Sequence, residues 1–451
     1  MKIEINKNEL ANALAALGKL VSRTSPLEVN HSIRIKGKNG RLTFETSNGE
    51  EYLSFSMESS LTEEFTYLTR FEEFRLAVKG RWNKNLLFEM EKDALSIDGN
   101  LLTSSTCVFP EAPNAEGKES HSEPLPAFFV ELLGIAAPII NRNECRKVLQ
   151  GVLLSKDGIT VTNGKELLNI PLSFHMEEMV LPFPLPLLAT KCKEEGRLIT
   201  WKEKEETFFK IQIGPWHWCG KALPGIYPKW KEIIPERKNL PGKVSYSESQ
   251  SKEMIAFLKS IPDEQPHTAI EMEMKDKFTL ILKCKEQKKE FQAELEDEKQ
   301  GFGMSVNKEI LMRLLSQGHT RIECASSSQS PFMATGGIGR FIAMPLFHRS
   351  KDPIQNATQT PQKENNIMYN EHKNVTFPPA AITQEREPVQ ETNPLEELST
   401  SIEVMRSKLK AMLEESNALS RKIREVAITQ KQKERDFVLA KRAIERIRMA
   451  I

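Results

Sequence analysis

What this chain lacks narrows it first. It has no CxxC pair. Its six cysteines, Cys107, Cys145, Cys192, Cys219, Cys284 and Cys324, are scattered, which speaks against a zinc site or disulfide scaffold and for a reducing compartment. No apolar run is long enough to span a bilayer, and no secretory signal pattern follows Met1. A cytoplasmic protein with no membrane partner is therefore expected. Net charge is nearly absent, at +1 over 451 residues. No bulk basicity announces nucleic acid, so DNA binding would require cations gathered on one surface. Catalytic motifs are missing too: no Walker loop, HExxH, GxSxG or paired-carboxylate motif occurs. Thr335-Gly336-Gly337-Ile338-Gly339 is glycine-rich but does not lead into a helix, and it reads as a turn before a strand. In Trp216-His217-Trp218-Cys219 a lone His and Cys suit packing better than metal. No enzyme activity, cofactor or metal is expected.

What is present is length, periodicity and a weak repeat. A chain of 451 residues exceeds one compact core and suits three or four domains. The opening Met1-Lys2-Ile3-Glu4-Ile5 alternates like a strand. Helical spacing of apolar residues predicts helices over 7–20, 130–137 (closed by Pro138) and 251–260, and a second set over 70–79, 185–194 and 307–316. Short strands follow each, such as Leu42-Thr43-Phe44, Ile159-Thr160-Val161 and Phe278-Thr279-Leu280. The pattern is one helix against a sheet, repeated six times, which makes three α+β units of two similar halves.

Composition changes after Leu346. Residues 351–392 are rich in Asn, Gln, Thr, Pro and Glu without apolar periodicity, and are expected to form a disordered linker. From 393 to 451 apolar residues fall on an alternating three–four register from Leu395 to Ile451, interrupted at Ser416, Gln430 and Lys433. That heptad predicts a coiled-coil helix whose partner the sequence does not name.

Three separated segments carry the functional signal: Thr162-Asn163-Gly164-Lys165-Glu166-Leu167, Tyr227-Pro228-Lys229-Trp230-Lys231-Glu232-Ile233-Ile234-Pro235, and Phe341-Ile342-Ala343-Met344-Pro345-Leu346-Phe347. In this order they resemble the segments that build the peptide-binding pocket of the bacterial DNA polymerase III beta subunit, the beta sliding clamp. The resemblance implies a non-enzymatic ring of repeated domains, with helices lining the lumen and sheets outside. Such a ring closes as a homodimer, encircles double-stranded DNA, and tethers DNA polymerase and clamp loader through linear peptide motifs. It implies clamp domains over 1–120, 121–236 and 237–350. A competing expectation is a clamp-derived scaffold that no longer serves replication and works through its C-terminal coiled coil.

By that resemblance the groove is lined by Leu149, Thr162, Gly164, Leu167 and Pro228, together with Ile233, Ile342, Met344, Pro345 and Leu346. Mobile methionine and branched aliphatics suit an adaptable apolar surface. Where the family carries positive charge this chain has Glu166 and Glu232, expected at the groove rim and there to favour basic peptide flanks. A sliding ring needs weak, exchangeable phosphate contacts from inward cations. The candidates are Arg23, Arg70 and Arg75 in the first unit, and Arg142, Asn143, Arg146, Lys147, Lys191 and Lys193 in the second. Arg313 is the candidate in the third, with Lys19, Lys79, Lys252, Lys259 and Lys308 as further basic residues on or beside the same helices.

Overall fold

A computed structural model describes residues 2–22, 24–61, 63–80, 84–91, 94–264, 267–296, 302–325 and 330–346. The expected linker and heptad segment lie outside the described residues, as does Arg23.

The described chain is one motif used six times: a strand, a helix, then an antiparallel three-strand meander. The helices are α1 (Lys7–Leu17), α2 (Phe71–Lys79), α3 (Phe129–Ala136), α4 (Leu185–Thr190), α5 (Glu248–Ser260) and α6 (Lys308–Ser316). Three have side-chain caps. Asn6 accepts from the amides of Asn8 and Glu9, Ser247 from Gln250, and Asn307 from Glu309, satisfying amides that lack a partner within the helix. α4 stops four residues before the expected end because Lys191 turns left-handed at φ 54°.

Halves pair by exchanging their first strands. Lys2–Asn6 joins the meander that follows α2, while Phe65–Arg70 joins the meander that follows α1. Ser120–Leu125 and Met179–Leu181 make the same exchange, as do Gly242–Ser245 and Gly303–Asn307. Each pair of halves is thus bound by two sheets, with its two helices packed together: α1 on α2, α3 on α4, α5 on α6.

The last strands of the meanders then link pair to pair. Glu51–Glu58 pairs with Trp216–Lys221, giving an eight-stranded sheet, and Glu166–Ile170 pairs with Arg340–Ala343, giving a nine-stranded one. Helices mark the same junctions: α1 packs on α4, and Gln317 Nε2 beside α6 donates to the Ile135 carbonyl of α3 at 3.1 Å. Two four-stranded sheets remain. Each ends in a last meander strand with no further neighbour among the described residues, Asn100–Leu101 at one and Gln287–Gln292 at the other.

The sheets carry one face inward. Ile33, Phe44, Leu53, Phe209, Trp218, Phe332 and Phe341 all belong to the main core that the helices cover. This matches the expected α+β repeat.

Candidate functional site

The groove segments meet on the outer face of the nine-stranded sheet. Alternation along each strand assigns the side chains. Leu154, Val161, Leu168 and Phe341 face the main core, whereas their neighbours Leu153, Leu167 and Ile342 face outward. The segment after Trp216–Lys221 crosses this outer face and lays Tyr227, Trp230 and Leu240 on it. The result is a second apolar cluster of ten buried residues, separate from the main core. Each large apolar side chain buried there contributes roughly 1.5–3 kcal/mol, enough to hold the crossing segment down.

The cluster brings together Leu149, Leu167 and Ile342. The other expected groove residues surround it. Thr162 is buried, and its hydroxyl donates to the Glu166 carbonyl at 2.7 Å. Gly164 sits at the tip of this turn with φ +83° and no atom near a would-be Cβ, so the left-handed backbone, not crowding, calls for glycine. Asn163 Oδ1 accepts from the amides of Lys165 and Glu166 and fixes the turn. The Met344 amide donates to the Lys165 carbonyl at 3.0 Å, extending the ladder past Ala343. Its side chain is left 42% exposed. Pro228, Pro345 and Leu346 are half-buried. Ile233 is 47% exposed at the edge of the cluster; it lines a depression with Leu240, which belongs to the cluster, and with Ile234 and Ala325, which pack against it.

Sequence reasoning missed Val148, Leu153, Val180, Leu240 and Met333, which complete the cluster. A short strand that is apolar on both faces gives no sign of which side chain points outward, as at Leu153, Val180 and Met333, and Val148 and Leu240 lie off the strands altogether. Tyr227 and Trp230 lay within the quoted motif.

Glu166 is a correction. It is not at the rim. One residue before outward-facing Leu167, it points to the helix side, where it is buried and ion-paired with Arg313 of α6. Asn163 Nδ2 donates to the same carboxylate oxygen at 2.8 Å. Arg313 is corrected with it, since its guanidinium is committed to a buried carboxylate and is four-fifths buried itself. Glu232 is exposed, 3.5 Å from Lys229. Lys308 is also withdrawn from the surface: buried, its Nζ donates to the Ile261 carbonyl at 2.5 Å and to Asp263 at 2.7 Å.

The remaining cations lie on or beside the helices. Arg75 pairs with Glu72 on the same helix at 2.5 Å, while Arg70 precedes α2 and is exposed. Arg142, Asn143, Arg146 and Lys147 are exposed on the turn after α3, where the Arg142 guanidinium lies 5.0 Å over the Phe183 ring. Lys191 and Lys193 are exposed just beyond α4, and Lys19, Lys79, Lys252 and Lys259 are exposed as well. Arg75 and the neutral Asn143 apart, these are long, exposed cationic side chains on or beside the helices, suited to a diffuse polyanion and not to base readout. Among the described residues no cluster of His, Cys, Asp and Glu could hold a metal ion. His217 and His319 are pushed down to about 4 by burial, and burial drives the Cys219 thiol up to about 12.

Comparison with known proteins adds the following. No protein-family profile matches the chain. A beta sliding clamp of Helicobacter pylori is 24% identical over 287 residues, covering 58% of this chain and 73% of that one. Among solved structures, the Helicobacter pylori beta clamp bound to DNA ligase peptide superposes with TM-score 0.64 at 20% identity, covering 77% of this chain and all of that one. A sliding clamp from Bartonella birtlesii bound to griselimycin gives 0.65 at 14% identity, again over 77% of this chain and all of that one. The chain has the sliding-clamp fold, and the resemblance read from its three segments holds at that level.

Proposed function

We propose that this protein is a DNA sliding clamp: a processivity factor that encircles duplex DNA and tethers polymerase and other partners through the outer groove. The observation that carries this reading is the pair of unused sheet edges. Both junctions within the chain join the last strand of one meander to the last strand of another. Among the described residues, Asn100–Leu101 and Gln287–Gln292 are the two such strands left over, one in the first pair of halves and one in the third. A second copy placed head to tail repeats the same junction twice and closes a ring of six domains. Leu76 on α2 and Leu101 at that edge are 63% and 70% exposed, apolar surface that closure would cover.

Domains over 1–120, 121–236 and 237–350 follow the three pairs of halves. The exposed cations Arg70, Arg142, Arg146, Lys147, Lys191 and Lys193, with the neutral amide of Asn143 among them, would face phosphates in the lumen. Among the described residues no helix is long and apolar enough to cross a membrane, in keeping with work in the cytoplasm. The solved Helicobacter pylori clamp carries a DNA ligase peptide, and a linear motif of that kind is the occupant we propose for the groove.

The test is assembly. The full chain should sediment as a dimer, and Leu76→Asp with Leu101→Asp should weaken it. A dimer indifferent to both changes but lost on removing residues 347–451 would favour the second reading, a scaffold held together by its heptad segment.

A further inference from the structure

We infer that a trough along the outside of the middle domain extends the groove and binds a basic, apolar flank of the peptide seated there. The inference rests on the proposed groove and names the chemistry of its occupant. Two concavities of about 470 and 530 Å³ share Glu178, Met179 and Thr207, and so form one trough. Its near end is lined by Leu153, Val180 and Tyr227, which also belong to the apolar cluster under the groove. The floor of trough and groove is therefore continuous. Leu223 extends it, and Ile226 stands over it 93% exposed, an apolar side chain left in water with an apolar floor below it.

Charge decides the occupant. Five glutamates line the trough: Glu119, Glu177, Glu178, Glu205 and Glu206. Its two lysines are already held, Lys202 by Glu177 at 2.5 Å and Lys221 by Glu206. His121 and His175 both turn to the buried carboxylate of Glu123, at 3.1 and 3.3 Å. Glu178 and Glu205 have no ion pair among the described residues. An apolar floor with unpaired carboxylates at its rim complements alternating lysine and leucine, and repels an acidic segment. The preference for basic flanks expected from Glu166 thus has a different seat.

The test uses the full chain with labelled Met and Ile methyl groups. The probes are peptides bearing a glutamine-leucine-phenylalanine core, alone or with a Lys-Leu-Lys or Glu-Leu-Glu extension at either end. We expect the basic extension at one end to tighten binding about fivefold at low salt and the acidic one to give no gain. The gain should vanish in Glu178→Lys with Glu205→Lys, whose exposed positions leave folding and core binding intact. Ile226 should shift only with the extended peptide, and Met344 with every peptide. Equal affinity for all extensions, or a silent Ile226 methyl while Met344 responds, overturns the trough. A silent Met344 overturns the groove reading instead. The basic peptide's effect on Ile226 then judges the trough alone, a shift supporting it and silence refuting it.

Discussion

Arg313 and Glu166 join α6 to the strand that carries Leu167, with the carboxylate buried. Such a pair contributes little over an apolar replacement, but losing one partner strands a charge in the interior. Arg313→Ala should therefore cost about 3 kcal/mol in urea unfolding, while Arg313→Leu with Glu166→Leu should cost clearly less. Equal losses would show that the pair is not coupled. His319 is a second buried side chain with a measurable effect. It is fully enclosed, its ring 5.9 Å from that of Phe341, and its pKa falls from 6.5 to about 4. The unfolded chain takes up this proton first. The stabilisation is thus complete above pH 6.5 and is lost as pH falls from 6.5 toward 4, reaching on the order of 3 kcal/mol. His217 is lowered as far, so His319→Leu should make the slope across that window shallower and not abolish it; an unchanged slope would assign acid sensitivity elsewhere.

Among elements, the proposed groove is a strand face with a segment crossing it, and Met344, left exposed beside it, is the anchor we propose. Met344→Ala should lower affinity for a glutamine-leucine-phenylalanine peptide at least tenfold, about 1.4 kcal/mol, without moving the melting temperature. Anisotropy titration checks this, and unchanged affinity would remove Met344 from the site. The helices were legible because an apolar stripe at helical spacing is a local property. Two ends were misread although their signal is local. The expected 7–20 stops at Leu17, just before Gly18, and α5 starts at Glu248 after its cap Ser247, ahead of the expected 251. Nothing around Lys191 announces its left-handed turn. The strand exchange between halves was not legible, since pairing Lys2–Asn6 with Asn85–Glu91 is a contact across about 80 residues of chain. For the same reason the resemblance located Leu149, Leu167 and Ile342 but misplaced Glu166, whose side of the sheet depends on register with the next strand.

For the whole molecule, the account turns on closure. Near-zero net charge allows a ring whose cations gather inside while acids such as Glu178 and Glu205 stay outside. Neutralising Arg142, Arg146 and Lys147 should weaken duplex binding at every sequence and reduce its salt dependence by up to about three released counterions per protomer. An unchanged slope would turn those side chains away from DNA. The most direct measurement is retention of the protein on nicked circular duplex after loading, before and after the circle is linearised. A closed ring stays on the circle at a salt concentration that abolishes simple electrostatic binding, and slides off once an end is cut. Equal retention on circular and linear DNA, or loss from both, would contradict encirclement.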